Sequence, residues 1–230
     1  MTYGIFDSGE GGHNLLRYAR MRNDRDDIIF LCDRARAPYG TKRDFELSGI
    51  VNDNIERLRR MGAERIIIAC CTACTVFERI EDKSEVYPIL PSTARVARGV
   101  TDGRIAVLAT GATVRSGAFR RELGGEVTEI AAQPLVALID GGASDKQPTG
   151  ELTAYLRELL EKADGADTVI LGCTHFSSVK GLIRQLGAER GIRRIIDAAE
   201  VGAGLIDCAH EDGKIGIDYV INTKNTNVGL

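Results

Sequence analysis

Arg65-Ile-Ile-Ile-Ala-Cys70-Cys-Thr-Ala-Cys74 sets an unbroken β-branched run in front of a cluster of small, hydroxylated and thiol residues. Such a run reads as a strand buried on both faces, and the residues behind it suit a turn into a helix. About a hundred residues later, Thr168-Val-Ile-Leu-Gly-Cys173-Thr-His175 repeats the device. Each copy places a thiol at a strand end, before backbone N–H groups and the positive end of a helix. That setting predicts a favoured thiolate.

Working outward, Thr41 begins a long amphipathic helix with Phe45, Leu47, Ile50, Val51, Ile55 and Leu58 on its apolar face, closed by Gly62. Upstream, residues 2–7 read as a buried strand, Ser8-Gly-Glu-Gly-Gly12 as a flexible turn, and Leu15, Leu16 and Tyr18 as the next helix. A second strand runs from Asp27 to Cys32 and ends in the loop Asp33 to Gly40. Downstream of the first thiol, Tyr87 to Leu90 is a short strand and Pro91 starts a helix.

At Gly103 the plan begins again. Arg104 to Thr110 is a strand, Gly111 a turn, Ala112 to Leu123 a helix and Val127 to Ala131 a strand; a helix over about 149–163 leads into the second cysteine strand. Ile192 to Asp197 then stands where Tyr87 to Leu90 stood. Two rounds of strand and helix predict an α/β protein of two pseudo-symmetric parallel-sheet lobes, with the active site in the cleft between them. The expected division is 1–92 plus 202–230 for the first lobe and 93–201 for the second. Residues 202–230 lack a counterpart in the repeat and are placed back on the first lobe.

The 230 residues are 43% hydrophobic, enough for sizeable cores, and the formal net charge is −3 from 30 basic and 33 acidic residues. Interspersed charge of this kind points to a small ligand and away from a nucleic-acid or membrane surface. The N-terminus enters a strand pattern directly, with neither leader nor membrane-length apolar run, which predicts a cytoplasmic protein. The six cysteines (Cys32, Cys70, Cys71, Cys74, Cys173 and Cys208) are expected as reduced thiols in a chain with a core this large.

A buried cysteine is most often a small hydrophobe, but Cys70 and Cys173 share one position in the repeat, and each is closely followed by a threonine, Thr72 or Thr174. A symmetric pair of thiols suits inversion of a stereocentre. One thiolate removes a proton from one face of a carbon and the other thiol delivers one to the opposite face. Asp7 and His175 are candidates to tune them, against the plainer roles of a helix cap or packing. Asp7 to Gly12 is a weak anion cradle, lacking both a dinucleotide fingerprint and a phosphate-loop lysine. Arg34, Arg36 and Lys42 read as a solvated surface cluster. Cys71-Thr-Ala-Cys74 is formally a redox or half-zinc motif, but no second CxxC follows, so no metal is expected.

Taken together, Gly4 to Gly12, Asp33 with Ala37-Pro-Tyr-Gly-Thr-Lys42, Ala69-Cys-Cys-Thr-Ala73, Ala109 to Phe119 and Leu171-Gly-Cys-Thr-His175 resemble the cofactor-independent glutamate racemases of the aspartate/glutamate racemase superfamily, over nearly the whole chain. The resemblance implies interconversion of L- and D-glutamate for peptidoglycan without pyridoxal phosphate, in a homodimer. It implies that Cys70 and Cys173 are the acid/base thiols, Asp7 and His175 their assistants, and Asp140 the equivalent of an assisting glutamate. Asp7, Ser8, Pro38, Tyr39, Gly40, Cys71, Thr72, Thr174 and His175 match substrate contacts, with Thr110 and Thr113 in a segment that supplies more. Some members of the family also inhibit DNA gyrase, and this weakly acidic chain shows nothing for or against that.

Three departures stand out. Cys71 replaces an asparagine whose amide contacts substrate, Cys74 replaces a small residue, and Asp140 reaches less far than glutamate. Loss of one such amide contact costs about 1–3 kcal/mol, which slows turnover or shifts substrate choice without abolishing chemistry. Strand alternation is expected to turn Cys71 away from Cys70. The alternative readings are a racemase for aspartate or another small acidic amino acid, and a degenerate relative that binds an acidic ligand without turning it over.

Overall fold

The computed structural model describes residues 1–22, 26–207 and 226–227. Met1–Ile89 with Ala199–Leu230 form one compact unit, and Leu90–Ala198 the other. In the first, β1 (Thr2–Asp7), α1 (Gly12–Arg22), β2 (Asp27–Cys32), α2 (Asp44–Arg60), β3 (Arg65–Ile68), α3 (Cys71–Cys74) and β4 (Val86–Pro88) follow in order, and α4 (Ile89–Val100) opens at the boundary. In the second come β5 (Ile105–Ala109), α5 (Gly111–Ser116), α6 (Ala118–Leu123), β6 (Val127–Ala131), α7 (Gln133–Asp140), α8 (Gly150–Lys162), β7 (Thr168–Gly172), α9 (Lys180–Ala188) and β8 (Arg194–Asp197). Helix α10 (Ala198–Asp207) returns to the first unit, and the two-residue β9 (Thr226–Asn227) pairs with β2.

The sheet of the first unit runs β4-β3-β1-β2, with β9 beyond β2, and that of the second runs β8-β7-β5-β6. Every pairing is parallel. Each unit therefore adds its third strand on the opposite side of its first strand from the second. A sheet wound this way leaves a crevice outside the carboxyl ends of its two central strands, where the connections diverge to opposite sides. In the first unit those strands are β1 and β3, ending at Asp7 and just before Cys70. In the second they are β5 and β7, ending just before Thr110 and Cys173.

Central strands bury both faces, which is why they read as continuous apolar runs: Ile66, Ile67 and Ile68, and likewise Val169, Ile170 and Leu171, are at most 1% exposed. Helix α10 packs on the first sheet; the Tyr3 hydroxyl donates to the Ile206 carbonyl at 2.7 Å. Gly202 sits so close to Leu15 and Ile89 that an added Cβ would lie 2.5 and 2.6 Å from their side-chain carbons. Among the described residues no helix is long and apolar enough to cross a membrane.

Several sequence expectations are corrected. Helix α2 begins at Asp44, because Tyr39–Thr41 closes a 3-10 turn in which the Lys42 N–H bonds the Tyr39 carbonyl. Phe45 lies in the first turn of α2, 62% exposed, with the Arg43 guanidinium 4.5 Å over its ring, and not on the buried face. The helix expected from Pro91 starts two residues earlier, at Ile89, leaving Pro91 in the first turn, where its missing N–H costs nothing. The single helix expected over 112–123 is broken at Gly117, whose φ of 62° ends α5 in the left-handed region. Cys208 lies outside the described residues.

Candidate active site

In the first unit the carboxyl ends of β1, β2 and β3 bring together Asp7, Ser8, Asp33 and Cys70. Asp7 is buried, and its Oδ1 accepts from the Gly9 N–H at 3.1 Å and the Ser8 hydroxyl at 3.4 Å. The same hydroxyl lies 3.3 Å from Cys70 Sγ. Part of the glycine-rich turn is thus committed to Asp7 itself. Gly12 is glycine because α1 starts against Asp7, where a Cβ would stand 2.5 Å from the aspartate Cβ.

Cys70 caps α3, and the backbone N–H groups of Ala73 and Thr72, with the Ser8 hydroxyl, favour its thiolate as expected from the strand-to-helix turn. Burial outweighs them, and the Asp7 charge adds to burial, so the thiol is pushed up to about 11. The expected resting thiolate at Cys70 is corrected on this ground: α3 is four residues long, too short to offset the cost of burying a negative charge beside another. Cys71 opens α3, so helical geometry and not strand alternation sets its direction; it is buried, as are Thr72 and Cys74. The Cys74 thiol donates to the Ile68 carbonyl at 3.5 Å. The five described cysteines are not in disulfides.

Ala37-Pro38 is a cis peptide, and Pro38 precedes the 3-10 turn that carries Tyr39 and Gly40. Tyr39 is turned inward, 2% exposed, and its hydroxyl donates to Asp33 Oδ2 at 2.5 Å. Burial first, then this bond and the Asp33 charge, push the phenol far above its ordinary range. Arg36 is corrected from a surface role. Its Nε donates to Asp33 at 2.7 Å and its Nη2 to Asn54 Oδ1 at 2.5 Å, whereas Arg34 stays solvated beside Glu10. Asp33 entered the sequence reading only as part of the family resemblance and Arg36 only as a surface cation; Asn54 was not singled out, its sole signal being an amide on a helix face otherwise apolar.

In the second unit, Thr110 caps α5 by accepting from the Thr113 N–H at 3.3 Å, and the two hydroxyls lie 2.9 Å apart. Cys173 follows β7 and precedes a 3-10 segment, Thr174–Val179, with Thr174 buried. Its Sγ lies 3.7 Å from His175 Nδ1, and His175 Nε2 lies 3.4 Å from Asp140 Oδ1. An imidazole so placed can take the thiol proton and return it, with the carboxylate fixing its tautomer.

The turn carrying Cys173 and His175 is tied down on its C-terminal side. The Ser177 hydroxyl donates to buried Asp197 at 2.8 Å, and Lys180 Nζ lies 3.6 Å from the same carboxylate. Asp145, in the loop after Asp140, accepts from the Gly181 and Leu182 N–H groups at 2.8 Å each, capping α9. Gly172, just before the thiol, admits no larger residue: a Cβ would stand 2.8 Å from the Phe119 ring and 3.1 Å from the Leu108 carbonyl oxygen. The backbone oxygen cannot rotate away. Gly172→Ala is therefore expected to cost about 1–3 kcal/mol, lowering Tm by roughly 2–4 °C per kcal/mol, as thermal melts followed by circular dichroism will read. Among the described residues no group of three His, Cys, Asp or Glu side chains is arranged to hold a metal ion.

Residues 13–206 match the Asp/Glu/hydantoin racemase family. The chain belongs to that family. It is 34% identical to a glutamate racemase from Neisseria meningitidis serogroup A, covering 97% of this chain and 83% of the relative. Against a glutamate racemase from Desulforudis audaxviator the identity is 37%, over 82% and 72% of the two chains. The crystal structure of the glutamate racemase from Thermus thermophilus, in complex with β-chloro-D-alanine, superposes with a TM-score of 0.79 at 28% identity, covering 96% of this chain and 85% of that one. Family membership gives a setting to the duplicated strand order: the thiols of this racemase-family chain follow the same strand in both units.

Proposed function

We propose that this protein is a glutamate racemase that interconverts L- and D-glutamate by proton transfer between two thiols, Cys70 and Cys173, acting on one substrate, and so supplies D-glutamate for peptidoglycan. The supporting observation is the matched placement of the thiols, each within two residues of the end of the third strand of the same parallel winding. One thiolate takes the α-proton and becomes a thiol. The electron pair left on the α-carbon is protonated from the opposite face by the other thiol, which becomes the thiolate. Atoms and charge balance, and each turnover leaves the enzyme in the form that accepts the product enantiomer.

The assistants differ between the units. In this reading Asp7 acts on Cys70 through Ser8, and His175 with Asp140 serves Cys173. Ser8, Pro38, Gly40, Cys71, Thr72, Thr110, Thr113 and Thr174 lie at or near the strand ends where glutamate would be held; the hydroxyls of Ser8 and the threonines, and the backbone N–H groups of all but Pro38, suit carboxylates. The α-proton is weakly acidic, so fixed donors and excluded water must carry the developing charge. The reading extends to a cytoplasmic homodimer, which sedimentation of the purified protein will test.

Purified protein mixed with L-glutamate, with no cofactor added, is expected to bring the circular dichroism of the amino acid to zero. An unchanged signal with glutamate and with aspartate would overturn the assignment in favour of a binding protein.

A further inference from the structure

Tyr39 sits in the strip that the racemase reading assigns to substrate, yet its hydroxyl is fully engaged inside the protein. A phenol has one proton to give. Tyr39 gives it to Asp33 Oδ2 at 2.5 Å and accepts from Asn54 Nδ2 at 2.9 Å. Glutamate offers two carboxylates, which only accept, so a hydroxyl whose proton is already committed has no donor for either. Pro38 has no N–H at all. Any donor that this strip offers a carboxylate therefore comes from its backbone and not from the tyrosine hydroxyl.

The network that turns Tyr39 inward joins three elements. Asp33 follows β2, is 7% exposed, and its N–H donates to the Asp7 carbonyl at 2.9 Å. Its Oδ2 also accepts from Arg36 Nε at 2.7 Å and from Asn54 Nδ2 at 3.3 Å. Asn54, on the buried face of α2, accepts in turn from Arg36, whose Nη1 continues to Asp53 at 2.6 Å. The turn so held packs against α3, the helix that Cys70 caps.

We propose that Asp33 is a positioning residue for substrate binding: with Arg36 and Asn54 it anchors Tyr39 as an internal strut, so that the strip presents its backbone, and not the tyrosine side chain, to the substrate. This rests on the racemase reading for the identity of the ligand. Without the anchor the turn must be ordered when substrate binds, which weakens ground state and transition state alike. The loss therefore falls on KM and not on kcat.

The test compares Asp33→Asn, Tyr39→Phe and the double variant by glutamate kinetics and by hydrogen exchange of the 38–42 segment in the free protein. Tyr39→Phe keeps the ring and so remains folded even if Asp33→Asn does not. Each single change is expected to raise KM about tenfold, with kcat within about threefold of wild type and faster exchange of the segment. The double variant should be no worse than the poorer single, since both remove one bond. Unchanged KM with a lowered melting temperature, additive losses in the double variant, or unaltered exchange would each overturn the proposal. If the wild-type protein does not racemise glutamate, the racemase reading fails by itself. Exchange then judges the strut alone: loosening of the segment in Tyr39→Phe supports it and wild-type protection overturns it.

Discussion

Cys70→Ser is expected to lower racemisation of either enantiomer by about 10³-fold while leaving a folded protein that still exchanges the α-proton of one enantiomer with D2O. A serine hydroxyl is too weak an acid and too weakly ionised to serve on its face. Cys173 remains beside His175 and Asp140, and it still removes a proton and returns a deuteron to the side from which it came. Cys173→Ser should do the same for the opposite enantiomer, with Cys70 as the remaining base. Proton NMR of each enantiomer in D2O reads both results. Racemisation near the wild-type rate in both variants, or exchange of the same enantiomer by both, would remove the two-thiol mechanism.

The second large effect is in the pH profile. Either direction of reaction needs one thiol and one thiolate, two forms that hold the same number of protons, so kcat/KM for L- and D-glutamate must follow one common profile. Activity is lost at high pH when the second thiol ionises. Cys70, held up to about 11 by burial and then by Asp7, places that descending limb far above the ordinary thiol range, with a fall of about tenfold per pH unit beyond it. Asp7→Asn removes the neighbouring charge, lowers the Cys70 value and brings the limb down. A limb that stays in place or rises in Asp7→Asn would contradict this assignment of the charge.

Linkage runs in the same range. The folded value of Cys70 lies above the 9.0 of a solvated thiol, so its contribution is fully present below pH 9 and is lost as pH rises through about 11. The loss is on the order of 3 kcal/mol. Far-ultraviolet circular dichroism of the same samples separates unfolding from titration.

What was legible in the sequence was local and periodic. Ile66 to Ile68 and Val169 to Leu171 announced central strands because a strand covered on both faces has no polar side to interrupt it. The duplicated plan, and the equivalence of Cys70 with Cys173, followed from that signal alone. The helix expected over about 149–163 is α8, Gly150–Lys162, and the structure adds its cap, Thr149, whose hydroxyl accepts from the Leu152 N–H within one turn. Boundaries set by competition between neighbours were less so, as with Thr41, which completes a 3-10 turn in place of starting α2.

By itself, then, the sequence determined the two parallel windings, the strand ends at which chemistry-bearing residues emerge, and the pairing of thiols by position. Only the tertiary structure decided the protonation of Cys70 and the roles of Asp33, Arg36 and Asn54. Burial and charge at a site are sums over residues distant along the chain: Asp7 lies beside Cys70, and Asn54 meets Tyr39 and Asp33, only once β1, β2, β3 and α2 are packed. No periodicity carries that sum, because it depends on which side chains the folded backbone brings within a few ångströms of one another.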